Sequence, residues 1–120
     1  MAIAAGLCSC LVVTREARLG LNGPAVIEQE AGIDEYDSRD RPFIWSFTGG
    51  EQRYRSKLVD AYVEDDADAI RDSVRAALRA GLPARHRSDR HEDFLACLAA
   101  VDPAQQARPE AVRALYDKGL

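Results

Sequence analysis

The sequence predicts a mixed α/β fold, and three observations carry that prediction. Short apolar runs at residues 11–14, 17–21 and 58–63 have the length and composition of buried strands. Two glycine breaks, Asn22-Gly23-Pro24 and Gly49-Gly50, each open onto a helix-forming stretch. A longer stretch ending near Ala80 carries Ile70, Val74, Ala77 and Leu78 at the spacing of one helix face.

In chain order, residues 2–7 read as the body of a helix that runs into the first strand. Met1 to Val13 is almost wholly apolar or small. It lacks a basic start and a cleavage site, and it is too short to span a bilayer, so it is read as core and not as a targeting segment. Natural domains seldom begin inside their own core, and the chain therefore reads as truncated at its N-terminus. A strand at 17–21 precedes a helix from Pro24 to about Ala31, with Val26 and Ile27 inward and Gly32 as its C-cap. The acidic segment 33–40 is an exposed loop whose last residue, Asp40, caps a helix carrying Phe43, Ile44 and Phe47 on one face. Trp45 and Phe47 are read as core or as an interface. Gly49-Gly50 opens a third helix, a strand follows at 58–63, and Asp65 or Asp66 caps the long amphipathic helix, which Gly81 ends. Beyond a basic loop at 82–90, residues 92–101 form a helix with Phe94, Leu95, Leu98 and Val101 on its apolar side, and Asp102-Pro103 and Arg108-Pro109 both look like helix starts. The expected division is residues 1–80 as the main domain and 81–120 as a helical appendage.

The chain has 120 residues, 47% hydrophobic and 30% charged, which suits one folded domain and argues against disorder. Its net charge of −4 speaks against nucleic-acid binding. That charge is uneven: residues 1–70 hold 7 basic and 13 acidic side chains, and residues 71–120 hold 9 and 7. Three cysteines, an odd number, suit reduced thiols in a cytoplasmic protein. Cys8, Cys10, Cys97, His86 and His91 match no common metal-ligand spacing, so Cys8 and Cys10 are expected to pack as small hydrophobes and no metal is expected.

No constellation of nucleophile, acid and base stands out. What the glycine breaks offer instead is backbone: a strand or turn that feeds directly into a helix leaves several N–H groups aimed at one place, where an anion or a developing oxyanion can sit. Gly23 and Ala25, with Pro24 shaping the turn, are one candidate wall; Gly49 and Gly50 are the second. Glu28 could relay a proton, hold neighbouring backbone or face solvent. Gln29 is the polar neighbour on the same helix. Arg53 could bind a carboxylate or phosphate, or pair with Glu51 or the acidic loop.

These residues also carry a resemblance. The run Ala17-Arg18-Leu19-Gly20-Leu21-Asn22-Gly23-Pro24-Ala25-Val26-Ile27-Glu28-Gln29 resembles the signature of carboxyltransferase beta subunits. Gly49-Gly50-Glu51-Gln52-Arg53-Tyr54 is similar to a later segment of that family and to a motif of crotonases. With Gly6-Leu7-Cys8-Ser9 and residues 13–18, the run over about residues 1–80 is most similar to beta subunits of biotin-independent malonate decarboxylases. The resemblance implies the C-terminal portion of a crotonase-like spiral of ββα units with a helical tail. It implies a cytoplasmic hetero-oligomer with a gamma subunit, converting malonyl-S-acyl-carrier protein to the acetyl form and carbon dioxide, without biotin or any other cofactor. It further implies that the backbone at Gly23, Ala25, Gly49 and Gly50 stabilises a thioester enolate, with Pro24, Gln29 and Arg53 at the substrate. Family members are more than twice as long, and a glycine pair of theirs falls just before Met1. Two other readings stand beside this one: a biotin-dependent carboxyltransferase beta subunit, and a non-catalytic interaction module. Finally, Arg75, Arg79, Arg85 and Arg87 lie in the one basic stretch of an acidic chain and are expected to dock the acidic carrier protein.

Overall fold

The computed structural model describes residues 2–105 and 108–119. Its centre is a pair of parallel strands, β1 (Val12–Thr14) and β2 (Ala61–Val63), in the register Val12 to Ala61, Val13 to Tyr62 and Thr14 to Val63. Parallel strands need a long crossover, and here it carries three helices: α2 (Pro24–Ala31), α3 (Arg41–Thr48) and α4 (Gly50–Arg55). A short helix, α1 (Ala2–Gly6), precedes β1, and α5 (Ala67–Ala80) follows β2 and packs on both strands. A 3-10 turn (Arg87–Arg90), α6 (His91–Leu98) and α7 (Pro109–Gly119) complete the chain.

Local chemistry explains most boundaries. Pro24 and Pro42 occupy first-turn positions, where a missing N–H removes no helical bond. Asp40 Oδ1 accepts from the Phe43 amide at 3.1 Å and Asp66 Oδ2 from the Ala69 amide at 2.9 Å, each satisfying an orphan donor. Gly32 and Gly81 end α2 and α5 with φ of 89° and 74°, a region open to glycine at little cost.

The structure corrects several expectations. The second strand, 17–21, is an extended segment joined only by a bridge between Arg18 and Gly49, because its partners are the end of α3 and the start of α4 and not a strand. The third strand is confined to Ala61–Val63, since residues 56–60 turn tightly around Lys57, at φ 58°. No helix starts at Asp102; its carboxylate caps a turn at the Ala104 amide. Residues 7–10 are surface, so Cys8 and Cys10 are exposed while Cys97 is buried. Backbone contacts hold this part of the chain in place: the carbonyls of Gly6 and Cys8 accept from Arg87, and that of Cys8 also from His86 Nε2 at 2.9 Å. Apolar faces read as inward are largely open. Val26 on α2, Val74 and Leu78 on α5, and Leu95 and Leu98 on α6 are all exposed, whereas Val13, Ile44, Val59, Cys97 and Tyr116 form the small core.

The segment beyond residue 81 is helical but firmly attached. Gln52 Nε2 donates to the Pro109 carbonyl at 3.1 Å and Lys57 Nζ to the Tyr116 carbonyl at 3.3 Å, pinning α7 to α4. Arg87 reaches Asp60, ahead of β2, as well as the carbonyls before β1. Among the described residues no helix is long and apolar enough to cross a membrane.

Candidate functional site

The start of α2 keeps the free backbone donors that the sequence suggested. Gly23 is the N-cap in extended conformation (φ −69°, ψ 152°) and contributes no side-chain cap. Its own N–H and that of Ala25 have no partner among the described residues, while the Gly23 carbonyl accepts from Val26 and Ile27. Both residues are exposed. Pro24 and Ala25 line a cleft of about 610 Å3 together with Arg18, Ser38, Arg41 and Trp45. Neither arginine is in an ion pair with a carboxylate among the described residues, so the helix N-terminus and two guanidinium groups give this cleft a positive potential. Sequence reasoning missed Arg18, Ser38 and Arg41. The available signal was that Arg41 directly follows the Asp40 cap and that Arg18 precedes the glycine turn.

Gly49 and Gly50 serve a different purpose from the expected one. The Gly49 N–H donates to the Trp45 carbonyl at 2.9 Å and the Gly50 N–H to the Ala17 carbonyl at 2.8 Å. Committed donors of this kind are not available to an oxyanion, which removes these two amides from the candidate site as it stands here. Their lack of a side chain is what the fold uses. A Cβ on Gly49 would stand 2.6 Å from the Trp45 oxygen, and one on Gly50 2.3 Å from the Thr14 oxygen. The glycine pair lets α4 start against the end of β1. It lines a separate cleft of about 550 Å3, and Trp45 belongs to both clefts.

The other candidates scatter. Glu28 Oε2 accepts from the Ser38 amide at 2.7 Å, so this carboxylate holds the acidic loop against α2. That is the backbone-holding role, in place of a carboxylate aimed into the cleft. Gln29 is exposed and makes no side-chain hydrogen bond among the described residues. Arg53 Nε donates to the Leu19 carbonyl at 2.8 Å, and burial pushes its guanidinium down from its ordinary range. No Glu51 pair forms with it; Glu51 pairs with Arg55 at 2.8 Å. In the basic stretch, Arg75 and Arg79 are exposed and unpaired among the described residues. Arg85 binds Asp93 at 3.0 Å and the Asp89 carbonyl at 2.8 Å. Arg87 is only 15% exposed and is engaged with Asp60. Among the described residues no three of His, Cys, Asp and Glu converge in a way that could hold a metal ion.

No family model matches the chain. Solved structures do. Over 97% of its length the chain is 66% identical, with a TM-score of 0.91, to a chain in the crystal structure of a Pseudomonas malonate decarboxylase hetero-tetramer in complex with malonate. Over 82% it is 56% identical, with a TM-score of 0.66, to a chain of a Pseudomonas malonate decarboxylase MdcD-MdcE hetero-dimer. A curated relative, the malonyl-S-ACP:biotin-protein carboxyltransferase MADC of Malonomonas rubra, is 34% identical over 79 residues. The parallel strand pair, the glycine-led helices and these likenesses define the class: the decarboxylase and carboxyltransferase type of enzyme subunit. Within that class, over the residues matched, the chain is most like subunits of malonate decarboxylase. It spans 42% and 39% of the two solved chains and 25% of the curated relative.

Proposed function

We propose that this chain forms part of a malonate decarboxylase that releases carbon dioxide from malonyl-S-acyl-carrier protein and leaves the acetyl form. The observation that carries the reading is the start of α2, where Ala25, whose amide is free, lines a cleft with Arg18 and Arg41, and the free Gly23 amide lies two residues before it. Loss of carbon dioxide from a malonyl thioester places an electron pair on the neighbouring carbon and, as the enolate, negative charge on the thioester oxygen. N–H donors already aimed at that oxygen lower the barrier, each by about 3 kcal/mol or more. Gly23 and Ala25 supply such donors, and Pro24 fixes their direction. The cleft needs no metal and no biotin for this step.

Several finer points belong to the same reading. The fold is the C-terminal portion of a crotonase-like spiral, with residues 1–80 as its carboxyltransferase part and 81–120 as a helical cover. The working enzyme is a cytoplasmic hetero-oligomer with a gamma subunit and a carrier protein, in keeping with the hetero-tetrameric and hetero-dimeric assemblies of the similar structures. Arg75 and Arg79 are the two arginines of the basic stretch left free to meet an acidic carrier. Reversing both to Glu should weaken carrier association most at low salt, since exposed charges are screened beyond about 10 Å at 0.1 M. A biotin-dependent carboxyltransferase is the second reading, favoured by the name of the Malonomonas relative. Co-purification of a biotinylated carrier with the assembled enzyme would favour it.

The decisive variants are at Gly23. A Cβ there meets nothing within 4 Å, and φ of −69° and ψ of 152° suit proline. Gly23→Pro therefore deletes one N–H with little change of shape, and Gly23→Ala retains it. In the assembled enzyme Gly23→Pro should lower kcat by about 100-fold or more while Gly23→Ala stays close to the parent. Equal activity of the two would remove this amide from the chemistry.

A further inference from the structure

Arg53 is a cation held by a neutral partner. Its Nε donates to the Leu19 carbonyl at 2.8 Å, and among the described residues no carboxylate lies within ion-pair distance of it. A guanidinium does not shed its proton in a protein, so the charge persists although burial disfavours it. Arg87 in the same cleft shows the contrast, because Asp60 compensates it. A half-buried charge without a counter-ion costs stability unless something else supplies the anion.

The surroundings of Arg53 indicate the form of that anion. It opens into a cleft of about 590 Å3 between α4, α6 and α7, within the usual range for small-molecule sites. The cleft is walled by apolar side chains, among them Phe47, Phe94, Leu98 and Val112. Its shape is fixed by the Gln52 and Lys57 bonds to α7 and by the Phe94 and Tyr116 rings, whose centroids are 5.9 Å apart. Burial also raises the Tyr116 phenol, which keeps it a neutral O–H in the same cleft. The other polar groups of the lining include Arg87, paired with Asp60, Gln52, bonded to the Pro109 carbonyl, Ser56 and His91. Arg53 is therefore the cation left uncompensated beside the apolar wall and the Tyr116 hydroxyl, an arrangement that suits a single anionic head on an apolar body.

We propose that the cleft between α4, α6 and α7 binds a small amphiphilic carboxylate, its head on the Arg53 guanidinium and its body against Phe94, Leu98 and Val112. The proposal does not depend on the reading of the α2 cleft. The probe is octanoate, titrated into the full chain by calorimetry and by amide-shift NMR, with octan-1-ol as the uncharged analogue. Octanoate should bind saturably at one site, with shifts concentrated in α4, α6 and α7, and octanol at least about tenfold more weakly. Arg53→Gln should lower octanoate affinity about tenfold or more and Arg53→Lys less, the circular dichroism of each confirming the fold. Leu98→Glu, at an exposed position the fold does not depend on, should also abolish binding by placing a like charge on the apolar wall. Equal binding of octanoate and octanol, insensitivity to both Arg53→Gln and Leu98→Glu, or shifts centred on another face would each overturn the assignment.

Discussion

A β-carbon placed on Gly50 would stand 2.3 Å from the carbonyl oxygen of Thr14, closer than real side chains approach a backbone oxygen. The start of α4 and the end of β1 are therefore in contact chiefly through backbone, with Val13 Cγ2 alongside, and the Gly50 N–H seals the junction on the Ala17 carbonyl at 2.8 Å. Neither atom is the tip of a flexible side chain that could step aside. Gly50→Ala should destabilise the chain by about 1–3 kcal/mol. Gly23→Ala, facing open space, should change stability by less than about 0.5 kcal/mol. Urea melts of the two variants against the parent check this. Equal midpoints would show that the junction yields.

Arg87 ties three parts of the chain together, through the carbonyls of Gly6 and Cys8 and the carboxylate of Asp60. Asp60 in turn accepts from the Leu11 amide at 2.7 Å, next to the strand pair. Removing the guanidinium leaves these acceptors without their shared donor. Bonds to charged groups contribute about 1.5–3 kcal/mol each, but Asp60 is partly exposed and water can replace some of them. Arg87→Met should lower stability by about 2 kcal/mol, with Asp60→Asn intermediate. If Arg87→Met melts like the parent, the cluster is held by other contacts.

Much of the fold was legible because its signals are local. Pro24 and Pro42 at first turns, Asp40 and Asp66 as caps, and Gly32 and Gly81 as stops all act within four residues of their own position. What failed depends on partners distant in sequence. The extended segment 17–21 has strand composition, yet its hydrogen bonds go to residues 48–50 at a helix junction. Gly49 and Gly50 look like donors in sequence, whereas Trp45 and Ala17 supply their acceptors only in the folded chain. The cleft at α2 was half legible. The Gly23-Pro24-Ala25 turn advertises free amides at Gly23 and Ala25, but the convergence of Arg18 and Arg41 on Pro24 and Ala25 requires the packing of α3.

Alkaline pH should weaken the fold through tyrosine. Burial is the main cause that raises Tyr116 above its ordinary 10.0, with Cys97 adding to the rise and Arg53 opposing it. Tyr62 is raised too, by burial first and then by Glu51 and Glu64. In both, the folded state holds its proton more tightly than the unfolded chain. The associated stability is fully present below the unfolded value and is lost as pH climbs through the raised folded value. The melting temperature should fall above about pH 10, and Tyr116→Phe should blunt that fall without removing it, because Tyr62 remains. A Tyr116→Phe profile that matches the parent above that pH would clear Tyr116 of the effect.

The open apolar faces carry the last prediction. Leu78 on α5 is 77% exposed, Leu82 beyond it 83%, and Ile3 and Leu7 at the start of the chain 68% and 67%. Val74 joins Leu78 one turn away along the same side of α5, so the side of this helix turned from the strands presents apolar surface beside the charges of Arg75 and Arg79. Exposed apolar surface of this kind drives association, at roughly 25 cal/mol for each Å2 removed from water. The isolated chain should therefore self-associate at micromolar concentration, and the association should weaken on cooling as apolar burial does. Leu78→Glu should shift the chain toward monomer in size-exclusion chromatography with light scattering. It should leave the melting temperature close to that of the parent, because Leu78 contributes little to the core. A parent chain that is already monomeric, or a Leu78→Glu chain that associates as strongly, would place the sticky surface elsewhere or remove it.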